Sequence, residues 1–127
     1  MWNAAEAIEH LIRRALPHSS GFCAQFTRRA IAAGGVTLTP PASALAKDYG
    51  PCLLAAGFRR EPLPTVFTGG DVAVITSCSG APAGHMAMYS GESWISDFRQ
   101  RSLYPGPVYR REQPGYAIYR YPVLEVR

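Results

Sequence analysis

The sequence contains no apolar run that approaches the roughly 20 residues a helix needs to cross a bilayer. Segment 2–16 comes closest, but it is interrupted by the charged or titratable residues Glu6, Glu9, His10, Arg13 and Arg14. It is therefore neither a membrane span nor the uninterrupted apolar core of a secretory signal peptide. We expect a chain without a membrane span, made in the cytoplasm, which needs other machinery if it acts outside.

Cysteine is also scarce, with only Cys23, Cys52 and Cys78. An odd number leaves at least one thiol unpaired, so the chain can hold one reactive thiol plus either two free thiols or a Cys52–Cys78 disulfide. No two cysteines have the short spacing of a structural zinc site, which argues against a Cys₃His site completed by His85. We expect no metal and no other cofactor.

Repeats and low-complexity segments are absent as well, and 127 residues leave no room for a second domain. With 47% hydrophobic and 17% charged residues, the composition predicts a single monomeric domain over 1–127 with a proper core. The net charge of +4 suggests affinity for a polyanion, which would be nucleic acid, a membrane surface or an anionic wall polymer. The arginines are dispersed and not interleaved with aromatic residues, which argues against a nucleic-acid platform.

Periodicity predicts helices in the first half of the chain. Apolar residues at three- and four-residue spacing indicate a helix over 2–16 that ends at Pro17. A second helix is predicted over 22–33, with Ser19 or Ser20 as its N-cap and Gly34-Gly35 at its C-terminus. Two short helical turns are expected over 42–47 and 51–56.

Short runs of β-branched and aromatic residues dominate the second half. They predict strands over 71–76, 85–89, 94–98 and 116–121, with a long proline-punctuated connection between the last two that is typical of a site-lining loop. Helices followed by antiparallel strands predict an α+β fold.

Cys23 falls in the first turn of the predicted second helix. Unpaired N–H groups and a partial positive charge there make a thiol easier to ionise and offer donors to an oxyanion. The alternative is a small buried apolar residue. A catalytic cysteine needs a base, so the choice between the two depends on a partner.

The segment 84–98 supplies a candidate base. Alternation places His85, Ala87 and Tyr89 on one strand face and the two methionines on the other. If Tyr89 pairs with Ser93 across a three-residue loop, His85 lies opposite Asp97, whose carboxylate can hold one imidazole nitrogen. A two-residue loop would instead turn Asp97 to the other face. Cys23, His85 and Asp97 are then nucleophile, base and orienting acid.

Four segments of the chain carry a resemblance to a known family. They are Ser19-Ser20-Gly21-Phe22-Cys23-Ala24-Gln25-Phe26, Gly70-Asp71-Val72-Ala73-Val74, Gly84-His85-Met86-Ala87-Met88-Tyr89 and Trp94-Ile95-Ser96-Asp97-Phe98. In order, they are similar to motifs of the papain-like NlpC and CHAP cysteine amidases, which cut bacterial peptidoglycan, and the resemblance runs from about Ala4 to Tyr121.

The resemblance implies N-terminal helices, with the nucleophile at a helix N-terminus, packed on a C-terminal antiparallel sheet. It assigns Cys23 as nucleophile, His85 as general base and acid, and Asp97 to the third polar position, where many members use His, Asn or Gln. The tyrosine that several NlpC enzymes carry just before the nucleophile is missing here, which leaves the oxyanion-hole partner open.

The same resemblance implies hydrolysis of an amide in the peptidoglycan stem, commonly the D-glutamate to meso-diaminopimelate bond and sometimes the muramic acid to L-alanine bond. The small size resembles both type VI secretion amidase effectors and compact phage lysins. An effector would be exported to the periplasm of a target bacterium and would have a cognate immunity protein that plugs its cleft.

Substrate-binding candidates are Ser20, Gly84, Trp94 and Arg99, with Arg101 and Arg110 as further residues that could meet stem carboxylates. Two other functions remain open. One is a catalytically silent basic module that binds wall polymer or a protein partner. The other is a nucleic-acid binder, which would show steeply salt-dependent retention on DNA.

Overall fold

Four helices and one 3₁₀ turn form the helical part of the fold in a computed structural model that describes residues 1–123. Their bounds are α1 Ala4–Arg14, α2 Cys23–Ala33, the 3₁₀ turn Ala46–Asp48, α3 Gly50–Ala55 and α4 Pro107–Glu112. Asn3 caps α1, because its side-chain oxygen accepts the Glu6 N–H at 3.0 Å. With at most 11 residues each, the described helices are too short to cross a membrane.

Five strands form a single sheet that is antiparallel throughout. They are β1 Arg59–Glu61, β2 Val72–Ile75, β3 His85–Tyr89, β4 Trp94–Ile95 and β5 Tyr116–Arg120, in the order β1-β5-β2-β3-β4. The predicted α+β layout, with N-terminal helices packed on a later antiparallel sheet, is confirmed.

Apolar clusters lie on both faces of the sheet. Met86 and Met88 join residues of α1, α2 and α3 in the main core, whereas Ala87 and Trp94 belong to a smaller cluster on the opposite face. The alternation predicted for β3 is therefore confirmed. The sheet separates the helical layer from a thin second layer built by loops.

The predicted bounds differ from the observed ones mainly where the chain bends. The helix expected over 42–47 is only the 3₁₀ turn at its end, and the strand expected over 94–98 ends at Ile95. There the chain turns back, with the Ser96 N–H bonded to the Phe98 carbonyl and the Gln100 N–H to the Trp94 carbonyl. Strand β1 and helix α4 were not predicted at all.

The register predicted for the β3–β4 hairpin is wrong by one residue. Tyr89 pairs with Trp94 and Met88 with Ile95, so the loop has four residues. The Ser90 hydroxyl stabilises this longer loop by accepting the N–H groups of Glu92 and Ser93 at 3.2 and 3.0 Å. Because the pairing shifts and β4 ends early, Asp97 does not lie opposite His85.

A partly buried ion-pair network joins β1 and β5 to the residue just before β2. Asp71, fully buried just before β2, accepts hydrogen bonds from Nε and Nη2 of Arg120, each at 2.8 Å. Glu61 accepts a hydrogen bond from Nη1 of the same guanidinium at 2.8 Å. The Thr68 N–H gives Asp71 a further hydrogen bond. The buried carboxylate is therefore neutralised and hydrogen-bonded, as burial of a charge requires.

Candidate active site

Cys23 is the first residue of α2, as predicted, and is half-buried. The predicted capping by Ser19 or Ser20 is wrong: Phe22 occupies the N-cap position and makes no side-chain cap hydrogen bond. The first N–H groups of α2 therefore do not donate a hydrogen bond to the N-cap side chain. They remain available to an anion that forms beside the thiol.

Helix α2 packs against β3 in the main core, together with the side chains of Met86 and Met88. The buried hydroxyl of Thr27 on α2 reaches the backbone of Met86. It donates to the Cys23 carbonyl at 2.8 Å and lies 3.4 Å from the Met86 carbonyl. Cys23 is thus fixed against the residue that follows His85.

His85 begins β3 and is only 6% exposed. Its Nε2 lies 2.7 Å from Oε1 of Gln100, whose own Nε2 donates to the carbonyls of Ser102 and Leu103 at 3.0 Å each. The two carbonyls accept only, so they orient the amide with its oxygen towards the imidazole. His85 therefore carries its proton on Nε2, and Nδ1 keeps a lone pair.

Asp97 contacts the loop before Cys23 instead of His85. Its carboxylate accepts the N–H and hydroxyl of Ser20 at 2.5 and 2.7 Å and the hydroxyl of Ser96 at 3.0 Å. Burial opposes ionisation of Asp97, but these hydrogen bonds outweigh it and lower its pKa. Gln100, a residue that the sequence analysis missed, occupies the third position at His85.

Burial dominates the protonation states of the two reactive groups. It raises the pKa of Cys23 to about 11, assisted by the negative charge of Asp97 and opposed by hydrogen bonds from the backbone. It also lowers the pKa of His85, against the opposite effects of Gln100 and Asp97. The expectation that the helix start makes the thiol easier to ionise is wrong here, because desolvation is the larger effect. At pH 7 the resting pair is a neutral thiol and a neutral imidazole.

Cys23 and His85 both line a cleft of about 890 Å³. Its walls are the start of α2, the segment around the 3₁₀ turn, the β2–β3 loop and α4. Tyr109 of α4 packs edge-on against His85, with ring centroids 6.0 Å apart. The connection predicted as a site-lining loop does line the site, through Pro105 and Gly106 in the loop and Tyr109 in α4. Pro107 at the first turn of α4 is the signal that could have revealed this helix.

The four predicted substrate-binding residues have different positions. Gly84 lines the cleft at a φ of +70°, where a Cβ would clash with the Ile75 carbonyl. Trp94 is buried in the second core cluster, 4.9 Å from the ring of Phe67. Ser20 is bonded to Asp97, and neither it nor the exposed Arg99 lines the cleft.

The other two cysteines take no part in this arrangement. Cys52 packs at the edge of the main core, Cys78 lies in the β2–β3 loop, and both thiols are free, so the Cys52–Cys78 disulfide that the sequence left open does not form. Within residues 1–123, no three His, Cys, Asp or Glu side chains are grouped so that they could hold a metal ion.

A thiol at a helix start, an imidazole with a free Nδ1 lone pair and an amide that fixes the ring are the parts that a nucleophilic cysteine site requires. On this α+β frame they open on one cleft. They define the class of site, a cysteine–histidine centre suited to acyl transfer.

Comparison with solved structures identifies the family of this chain. It is 45% identical to a chain of the native type VI effector–immunity complex Tae3–Tai3 from Ralstonia pickettii, covering 94% of this chain and 99% of that one with a TM-score of 0.87. The selenomethionine form of that complex gives 45% identity, 91% and 99% coverage and a TM-score of 0.85. The sequence matches no protein-family model and no curated protein. The chain belongs to the Tae3 family of type VI effectors.

Proposed function

We propose that this protein is an antibacterial type VI effector that hydrolyses amide bonds in the peptide stem of peptidoglycan, with Cys23 as the nucleophile. The observation that carries this proposal is the hydrogen bond from His85 to Gln100, which leaves Nδ1 basic in the cleft that Cys23 shares. The same proposal includes a papain-like relationship to the NlpC and CHAP amidases. It also includes the D-glutamyl–diaminopimelate bond as the one that the enzyme cleaves.

The reaction follows from the neutral resting pair. As the Cys23 sulfur attacks the carbonyl carbon, its proton passes to Nδ1 of His85, and negative charge develops on the carbonyl oxygen. The N–H groups at the start of α2 stabilise that oxyanion. When the tetrahedral intermediate collapses, imidazolium gives its proton to the leaving amine and a thioester remains.

Hydrolysis of the thioester reverses the roles. His85 takes a proton from water, whose oxygen attacks the thioester carbon, and the departing sulfur recovers the proton. The products are a stem fragment that ends in a carboxylic acid, a fragment that ends in an amine, and the free thiol. Gln100 holds the ring through both steps, because its amide can accept from Nε2 whether or not Nδ1 is protonated.

The family supports a proposal for the partner and for the place of action. The relatives were crystallised as effector–immunity complexes, and we propose that a cognate immunity protein binds this chain over the Cys23 cleft. If the effector is also delivered to the periplasm of sister cells, those cells need such an inhibitor to survive.

Digestion of purified sacculi tests the enzymatic proposal. Wild type is expected to release soluble muropeptides, and mass spectrometry of the new ends identifies the bond. Cys23→Ala should release none, whereas Cys52→Ala, which removes a free thiol away from the cleft, should act like wild type. Digestion by Cys23→Ala at the wild-type rate would exclude a thiol nucleophile.

A further inference from the structure

The cleft contains one permanent charge. Among its lining residues, Arg28 is the only one that carries a full positive charge at pH 7, and none is Asp or Glu. The remaining lining is mostly apolar or small, apart from the catalytic pair and a few polar groups. A guanidinium with no acidic neighbour in an otherwise neutral cleft favours an anionic group on whatever binds there.

Arg28 is also incompletely hydrogen-bonded. Its Nε is buried and has no hydrogen-bond partner among residues 1–123, and no carboxylate of that part of the chain forms an ion pair with it. A buried N–H without an acceptor is costly, and native proteins rarely leave one unsatisfied. Because this N–H is buried in the unliganded protein, the flexible Arg28 side chain must turn to present it to an acceptor that enters the cleft.

The spacing of Arg28 and Cys23 along α2 determines how far a group bound by Arg28 lies from the thiol. It follows Cys23 by five residues on α2, which puts the two Cα atoms roughly 9 Å apart in ideal helix geometry. A group held by Arg28 therefore lies several bonds away from the attacked carbonyl. It belongs to the recognition part of the substrate and takes no part in the chemistry.

We propose that Arg28 binds a carboxylate of the stem peptide and thereby makes the enzyme selective for anionic stems. This inference rests on the proposed function. A carboxylate can pair with the Nε edge of guanidinium through two parallel hydrogen bonds, which a neutral amide cannot match. The arginines expected from sequence, Arg99, Arg101 and Arg110, do not line the cleft.

Two carboxylates inside the stem have this chemistry: the α-carboxylate of the D-isoglutamyl residue and the side-chain carboxylate of diaminopimelate. Three synthetic stems distinguish them, and in all three the C-terminal carboxylate is blocked as an amide, so that it does not compete. One carries both carboxylates, one has isoglutamine in place of isoglutamate, and one has lysine in place of diaminopimelate. The stem that has lost the carboxylate bound by Arg28 should be cleaved poorly by wild type.

The experiment compares kcat/KM of wild type, Arg28→Gln and Arg29→Gln on these stems. Arg29 is the matched control, because it follows Arg28 on α2 and does not line the cleft. Arg28→Gln should lower kcat/KM on the doubly anionic stem about 10- to 100-fold, mainly through KM. On the stem without the bound carboxylate it should change kcat/KM less than about threefold, as Arg29→Gln should on every stem.

An equal loss on all three stems, or no loss on any, would overturn the role of Arg28 while leaving the amidase proposal intact. Failure of wild type to cleave any of the stems would overturn the proposed function and, with it, this inference. If Arg28→Gln does not fold, Arg28→Lys keeps the charge but lacks Nε. Arg28→Lys should show the same stem-dependent loss of kcat/KM, but a smaller one. A loss of kcat/KM that is equal on all stems would again refute the role of Arg28.

Discussion

Replacing Gln100 with methionine removes the acceptor that holds His85 while keeping a side chain of similar length. The wild-type amide makes three hydrogen bonds, one with His85 Nε2 and two with the carbonyls of Ser102 and Leu103. Gln100 is 4% exposed, so water cannot replace them in the folded protein. The imidazole would lose the contact that fixes its tautomer and its ring angle.

The magnitude follows from these three bonds. A typical buried hydrogen bond contributes about 0.5–1.5 kcal/mol net, so Gln100→Met should lower the free energy of unfolding by roughly 2–4 kcal/mol. For a chain of this length, that corresponds to a fall in Tm of roughly 10 °C. In the folded fraction, kcat should fall by about 100-fold, the lower end of what a positioned acid–base group contributes, because His85 itself remains.

The assay is steady-state cleavage of a soluble stem peptide below the melting range of the variant, with circular dichroism to measure the folded fraction. Asp97→Asn is the comparison variant, because it removes the charge of Asp97 while a side chain of the same shape remains near Ser20. It should lower kcat less than Gln100→Met does. The opposite order, a folded Gln100→Met within threefold of wild type and Asp97→Asn reduced 100-fold, would refute the assignment of Gln100.

Three further outcomes follow from the protonation states and the ion pairs. Because burial lowers the pKa of His85, the acid limb of kcat/KM should fall below pH 6.5, and Gln100→Glu should move it upwards by placing a carboxylate at the ring. Alkylation of Cys23 by iodoacetamide in the absence of substrate should be slow at pH 7 and should accelerate towards pH 11, and fast reaction at pH 7 would contradict a neutral thiol. Arg120→Met should lower the free energy of unfolding by about 3 kcal/mol in urea titrations, because it leaves the Asp71 carboxylate buried without its cation, and kcat of the folded fraction should not change.

The sequence predicted the parts of the site that depend on local pattern. The start of α2 follows from helical periodicity after Pro17, and the face of β3 that carries His85 follows from strict alternation. Both are confirmed. Helical periodicity and strand alternation can both be recognised in a short window of sequence.

Gln100 and Arg28 depend instead on tertiary geometry. One extra residue in the loop after β3 changes which hairpin side chain reaches His85, and sequence alone does not determine that length. Arg28 reads as an ordinary solvent-facing helix residue until the β2–β3 loop and α4 enclose the space beside it. Both positions are set by segments far apart in the chain.

A single bend after β4 contacts both the loop before Cys23 and the side chain of His85. Asp97 at one end of the bend holds Ser20 in the loop that leads to Cys23, and Gln100 at the other end holds His85. The bend is closed by the hydrogen bond from the Gln100 N–H to the Trp94 carbonyl at 2.9 Å. Because Trp94 is buried in the second core cluster, the side of the sheet away from the helices anchors the bend. The separation between the Cys23 thiol and the His85 imidazole therefore depends on the packing of Trp94, and substitutions that change this packing should alter kcat.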